Sequence, residues 1–245
     1  MDKIFDRLIQ AGLKLNPNKC VFCLPGVIYL GIRVNKDGQF PEASKLKSIA
    51  NFPIPKNITG VRSFIGLCSY YRKFIKDFAV LAKPLTTLTK NDVGFRWGPK
   101  EQQAFETLKY KMITPPILAH FEDNLSTEVR TDVSFDGIGA VILQEHPEGM
   151  KPVAYASRQL LPRERNYTIS EQECLAIVFA LEQFRPYLES RRFRVVTDHC
   201  SLCFLNSKRK LPSRLMRWAL LLQEFDMEIV YKSGKHHRDV DSLSR

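Results

Sequence analysis

The order of predicted elements in the C-terminal half constrains this chain most. Residues 127–134, 137–145 and 151–157 are successive β-rich runs, and His146-Pro147-Glu148-Gly149 is a turn between the last two. Residues 169–188 then read as one long helix that buries Leu175, Ile177, Val178 and Leu181. A fourth strand is expected at 192–197, helices at 199–206 and 213–225, a fifth strand at 227–231 and a last helix at 239–245. Three sequential strands suit an antiparallel meander, and later strands that return through helices suit crossovers. The order implies an α/β domain.

The N-terminal half reads differently. Residues 2–13 form an amphipathic helix with Ile4, Phe5, Leu8 and Ile9 on one side, and Asn16-Pro17-Asn18 breaks it. Residues 27–34 are β-rich and end at the Lys36-Asp37-Gly38 turn, so a strand and hairpin are expected. After Pro53 and Pro55, residues 58–76 read as a helix, with Thr59 as its expected cap. Phe64, Leu67, Tyr71 and Phe74 share one face of it, while Arg62, Arg72, Lys73 and Lys76 fall on the other. That basic face is either simply solvated or a rail along a phosphate backbone. A short helix or turn at 83–90 and a helix at 99–112 follow, and Glu122-Asp123-Asn124 marks the domain boundary.

Charge separates the two halves. The chain carries +11 overall, and residues 1–123 hold 19 Lys/Arg against 10 Asp/Glu, whereas residues 124–245 hold 18 against 16. Excess base points to a polyanionic partner and favours the rail. Hydrophobic residues at 44% and aromatics at 11% exclude a disordered tail or a fibre. There is no run of 18 apolar residues, and the N-terminal stretch carries acids and lacks a signal-type apolar core, so neither a membrane partner nor secretion is expected.

Cys20/Cys23 and Cys200/Cys203 have C-x-x-C spacing, a zinc half-site pattern. They lie far apart in sequence. Cys20 and Cys23 sit among Val21, Phe22 and Leu24, so they read better as core thiols.

Four carboxylates fall at element ends. Asp132 interrupts one β-rich run and Asp198 closes another. Glu173 follows Ser170 by three, as in a capping box, while Thr168 and Glu171 make a competing one. Asp241 opens the last helix. Each alone has a plain structural reading as a cap or an edge residue.

Together they lie in an ordered series of motifs. Thr131-Asp-Val-Ser134 is followed by Gly137-Ile-Gly-Ala-Val-Ile142, Lys151-Pro-Val-Ala-Tyr-Ala-Ser-Arg158, Tyr167-Thr-Ile-Ser-Glu-Gln-Glu173, Phe184-Arg-Pro-Tyr-Leu188 and Thr197-Asp-His199, and the chain closes on Gly234-Lys-His-His-Arg-Asp-Val-Asp241. This series resembles the RNase H domain of gypsy-type LTR retrotransposon Pol polyproteins. Upstream, Tyr29-Leu-Gly31 resembles the primer grip at the end of the reverse transcriptase palm. Val61-Arg-Ser-Phe-Ile-Gly-Leu67 and Tyr70-Tyr-Arg-Lys-Phe-Ile75 resemble the thumb.

The resemblance implies an RNase H-like fold, a mixed five-stranded sheet with flanking helices, preceded by a mainly helical thumb and a palm-end hairpin. It divides the chain into a palm end at 1–38, a thumb at 39–92, a connecting segment at 93–123 and an RNase H domain at 124–245. It implies that Asp132, Glu173, Asp198 and Asp241 hold two Mg²⁺ ions, with Mn²⁺ as a substitute, and hydrolyse the RNA strand of RNA–DNA hybrids; His199 stands beside them. Tyr29, Leu30, Gly31, Arg62, Arg72, Lys73, Lys76 and Arg158 become nucleic-acid contacts. The implied partners are a hybrid or primer–template duplex and the rest of the Pol polyprotein (palm, fingers and integrase), in a cytoplasmic, virus-like-particle setting. His237 departs from the family's usual Asn, and it and His236 read either as a proton shuttle or as surface histidines. The polymerase Asp-Asp pair is absent from these 245 residues, so polymerase chemistry is not expected of them. The competing functional readings are a catalytically inactive or domesticated nucleic-acid-binding fragment and a zinc-dependent interaction domain.

Overall fold

A computed structural model describes residues 1–91, 93–198 and 212–232. The chain begins with helix α1 (Asp2–Gln10), followed by a three-stranded antiparallel sheet of β1 (Gly26–Tyr29), β2 (Ile32–Asn35) and β3 (Gly38–Pro41). The single strand expected over 27–34 is two strands. Leu30 and Gly31 both take left-handed backbone, φ 47° and 69°, and reverse the chain in a two-residue hairpin turn. Helices α2 (Ala43–Ala50), α3 (Ile58–Tyr70), α4 (Phe78–Leu81), α5 (Lys83–Thr87) and α6 (Pro99–Ile113) follow.

The helix expected over 58–76 ends at Tyr70, and a short 3₁₀ turn carries Arg72–Phe74. Its cap is Asn57 rather than Thr59: the Asn57 side chain accepts from the Gly60 backbone N–H at 2.8 Å. Val61, Phe64, Cys68, Tyr71 and Phe74 are buried with Ile49, Leu85, Phe105, Leu108 and Leu118 in one core. The segments expected as thumb and connector thus share a single hydrophobic cluster.

The second unit is a five-stranded mixed sheet ordered β6-β5-β4-β7-β8. Its strands are β4 (Thr127–Val133), β5 (Gly137–His146), β6 (Gly149–Gln159), β7 (Phe193–Thr197) and β8 (Met227–Tyr231). The β4–β5 and β5–β6 pairs are antiparallel, the meander that three sequential strands predict. The β4–β7 and β7–β8 pairs are parallel, because α7 (Ile169–Leu188) and α8 (Ser213–Leu222) carry the chain back between them. Helix α7 packs on β4, β5, β7 and α8, burying Cys174, Ile177, Val178, Leu181 and Phe184 against Val129, Ile142 and Val195.

The helical unit docks on the opposite face of the sheet. Along β6, Ala154 and Ala156 face the α7 core, while Tyr155 packs against the helical core. The docking is polar as well as apolar. The Ala79 N–H donates to Ser157 Oγ at 3.0 Å, and the Gln159 amide donates to Thr86 Oγ1 at 2.9 Å. Lys83 pairs with Asp136. Asp77, itself at φ 56°, sets its carboxylate against Gly139 of β5, so close that a methyl group there has no room. Gly139→Ala is therefore expected to cost about 1–3 kcal/mol. A urea titration comparing the variant with the wild type checks this, and an unchanged midpoint would show that the contact yields freely.

Candidate active site

Strand pairing brings the first two carboxylates together. Arg130 of β4 lies opposite Val196 of β7, the last pair of the parallel ladder, and the same register carried two residues further sets Asp132 against Asp198, which directly follows β7. Both are exposed. Such edges are where open α/β sheets present ligand sites.

Helix α7 supplies the third. The two capping boxes weighed from the sequence are resolved: Thr168 Oγ1 accepts from the Glu171 N–H, and the Glu171 carboxylate accepts from the Thr168 N–H at 3.0 Å. Glu173 is therefore not spent on the cap. It is only 8% exposed, and its Oε2 has no hydrogen-bond partner among the described residues. Burial, then the charges of Asp198 and Asp132, push its carboxyl up to about 7. A buried oxygen without a partner, facing two further carboxylates, is the observation that fits an oxygen-ligated divalent cation. Among the described residues, however, no group of three Asp, Glu, His or Cys side chains is drawn close enough to hold an ion. Asp241, His199, His236 and His237 lie outside the described residues, as do Cys200 and Cys203.

The expected nucleic-acid contacts are spread over two places. Tyr29 and Leu30 are exposed at the hairpin tip, and Tyr71 Oη donates to the Gly31 carbonyl at 2.9 Å, while Tyr70 holds the Leu30 carbonyl. Gly31, Tyr70 and Tyr71 line a cleft of about 590 Å³ together with Ser63, Gly66 and Leu67 of α3, while Tyr29 and Leu30 lie outside it. Arg62, Arg72 and Lys76 are exposed, and Arg62 also donates to the Thr89 carbonyl at 3.2 Å. Lys73 turns inward, donating to Gln39 Oε1 at 2.8 Å, and burial lowers its pKa. Arg158 is engaged by Glu164 through two guanidinium bonds of 2.6 and 3.2 Å. The cysteine expectation needs correcting. Cys23 is exposed and Cys20 only half-buried, because Val21, Phe22 and Leu24 face solvent and form no core around them. Among the described residues, Cys68 and Cys174 are the buried thiols, pushed up to about 12 by burial.

The chain thus contains a mixed five-stranded α/β sheet with Asp132 and Asp198 at the ends of neighbouring strands and the buried Glu173 on the helix that covers it. Residues 122–225 match the RNase H-like domain found in reverse transcriptase. The whole chain is 37% identical to the Retrovirus-related Pol polyprotein from transposon 412 of Drosophila melanogaster, covering 20% of that protein. It is 35% identical, over 99% of its length, to the Transposon Tf2-3 polyprotein of Schizosaccharomyces pombe, covering 18% of it. The chain therefore spans about a fifth of the length of the curated relatives it matches. Among solved structures, the foamy viral protease-reverse transcriptase in complex with RNA/DNA hybrid superposes with a TM-score of 0.77 at 21% identity, over 95% of this chain and 32% of that one. The same enzyme in complex with dsDNA gives 0.76 at 21% identity, over 95% of this chain and 50% of that one. These two likenesses establish the fold. The chain belongs with the retrotransposon Pol polyproteins and carries their reverse-transcriptase RNase H-like domain.

Glu173 makes a pH prediction. An ordinary glutamate titrates near 4.5, whereas here the carboxyl is raised to about 7. The folded, metal-free chain thus binds a proton that the unfolded chain has lost. That contribution to stability is complete below about 4.5 and is lost as pH rises through about 7. Glu173→Gln is expected to be more stable than the wild type at pH 8 in EDTA, by on the order of 2–3 kcal/mol, with the difference vanishing at acid pH. Thermal melts against pH read this directly, and parallel curves for the two proteins would remove the assigned burial cost.

Proposed function

We propose that the chain is a ribonuclease H that hydrolyses the RNA strand of RNA–DNA hybrids. The observation that carries this reading is the buried, partnerless carboxylate oxygen of Glu173, set among Asp132 and Asp198 at the ends of β4 and β7. Asp132, Glu173 and Asp198, with Asp241, would hold Mg²⁺ or Mn²⁺. Such ions supply an activated water and stabilise the leaving 3′ oxygen. The chain's own part is positional. The parallel pairing of β4 with β7 would set Asp132 beside Asp198, and the Thr168–Glu171 cap fixes the turn of α7 that carries Glu173. Burial keeps Glu173 from spreading its charge into solvent, so the site favours a bound cation.

The helical unit would hold the duplex through Arg62, Arg72 and Lys76, with Lys73 behind them. The Tyr29-Leu30-Gly31 turn would meet the primer strand, and Arg158 would serve chiefly to fix its own loop. The 412 relative is a Pol polyprotein and the Tf2-3 relative a polyprotein, which supports a setting within a longer polyprotein, beside palm, fingers and integrase segments; cytoplasmic virus-like particles are the location proposed with it. No described helix is long and apolar enough to cross a membrane. Polymerase chemistry is assigned elsewhere, since these residues lack the Asp-Asp pair.

The uncollected state of the three described carboxylates favours one second reading, a nucleic-acid-binding segment without catalysis. A cleavage assay on a labelled hybrid with Mg²⁺ separates the two. The nuclease reading expects RNA-strand cleavage that falls at least about a hundredfold in Asp132→Asn. A folded wild-type chain that binds the hybrid, with strong salt dependence, and leaves it intact would overturn it.

A further inference from the structure

Phe135 is the most exposed large hydrophobic residue described, at 82%, and it lies three residues beyond Asp132. Its exposure does not come from a loose loop. Ser134 N–H donates to the Gly137 carbonyl at 2.9 Å, Gly137 N–H donates to Ser134 Oγ at 3.2 Å, and the Leu160 N–H donates to the Asp136 carbonyl at 3.2 Å. Lys83 of the helical unit holds the Asp136 carboxylate. The turn is therefore anchored on three sides while its aromatic side chain is left in solvent. Nothing in the folding of the sheet needs a large apolar group there.

The Arg165 guanidinium lies over the Phe135 ring, 5.8 Å from its centre. Arg165 sits on an equally fixed turn, Glu164–Asn166. There the Leu161 N–H donates to the Glu164 carboxylate at 2.9 Å, and Glu164 grips Arg158. The Gln172 amide donates to the carbonyls of Glu164 and Arg165 at 3.1 and 3.2 Å. Gln172 immediately precedes Glu173. The ring is thus tied to Asp132 through the turn that directly follows β4, and the guanidinium to Glu173 through α7.

The charges around this ledge have a sign. Asp136 is paired with Lys83, Glu164 with Arg158 and Glu171 with Arg214, while Arg163 and Arg165 remain exposed. Apart from the carboxylates of the site itself, these acids around the ledge are paired and the guanidiniums face outward, which suits a polyanion. In a duplex the bases stack on each other, so the apolar surface offered to a groove-side protein is the sugar face, with phosphates beside it.

We infer that Phe135 and Arg165 form a rigid ledge that holds the sugar–phosphate backbone of the nucleic-acid strand entering the carboxylate site. Phe135 packs on a sugar and Arg165 contacts the adjoining phosphate. This rests on the nuclease reading for the identity of the site, and it adds positioning residues that the carboxylate cluster does not include.

The test measures binding and cleavage separately on the full chain. Fluorescence anisotropy of a labelled RNA–DNA hybrid, with Ca²⁺ in place of Mg²⁺, gives Kd. Phe135→Ala is expected to weaken binding roughly five- to twentyfold, and Phe135→Trp to stay within about twofold of wild type. Arg165→Ala is expected to weaken binding and to lower the salt slope by about one. In Mg²⁺, the Phe135→Ala loss is expected in KM with kcat little changed. Because the side chain is in solvent, the melting temperature should not move. Binding of Phe135→Ala within twofold of wild type overturns the ledge, as does a Phe135→Trp variant no better than alanine. A loss that follows a lowered melting temperature overturns it too. If no variant cleaves but the aromatic dependence of binding persists, the nuclease reading falls and the ledge stands.

Discussion

The parallel pairing of β4 with β7, locked by α7 packed across both, is the constraint on which the site depends. Two strands distant in sequence must lie side by side for Asp132 and Asp198 to become neighbours. Only a crossover connection allows that, and α7 is the crossover. The same helix then has to bury its apolar face, from Cys174 to Leu188, on the sheet. Glu173 stands at the start of that buried run, so the packing that stabilises the domain also removes the carboxylate from water. Stability and electrostatic tension at the site have one origin.

The second unit is attached to this frame through close backbone approach. Gly139 pairs with Asp132 across β4–β5, and its missing side chain admits Asp77 from the helical unit. Burial raises the Asp77 carboxyl, opposed by Lys76, and Asp132 raises it further. The docking contact and the site are therefore electrostatically linked through one residue pair. A neighbouring glycine, Gly137, lets Val80 approach the sheet in the same way. The basic helical unit is held on the sheet at a fixed orientation rather than tethered by the Glu122–Asn124 boundary alone.

Much of this was legible in the sequence, for physical reasons that differ by element. Helix α7 was expected at 169–188 and is found there, since a long apolar period between a capping threonine and the Glu189-Ser190 break leaves little freedom. The three-strand meander followed from β-rich runs with a clear turn between the second and third. The Leu30-Gly31 reversal was missed because a leucine with positive φ gives no compositional signal inside an apolar run. The α3 cap moved from Thr59 to Asn57, whose amide oxygen reaches the Gly60 N–H from an extended backbone, while Thr59 lies inside the first turn. Which of two overlapping capping boxes forms was open until the geometry chose Thr168 and Glu171. Phe135 was invisible as a functional residue, because only the fold shows that an aromatic inside a β-rich motif faces water. Its one available signal was the Phe-Asp-Gly turn directly after the Asp132 motif.

On the proposed nuclease reading, the carboxylates at the ends of β4 and β7 and on α7 bind a divalent cation. The most direct measurement is Mn²⁺ binding to the full chain at neutral pH, followed by loss of the free-ion electron paramagnetic resonance signal. Saturable binding is expected, at least about tenfold weaker in both Asp132→Asn and Glu173→Gln. Binding that is absent in the folded wild type, or equal in all three proteins, would contradict it.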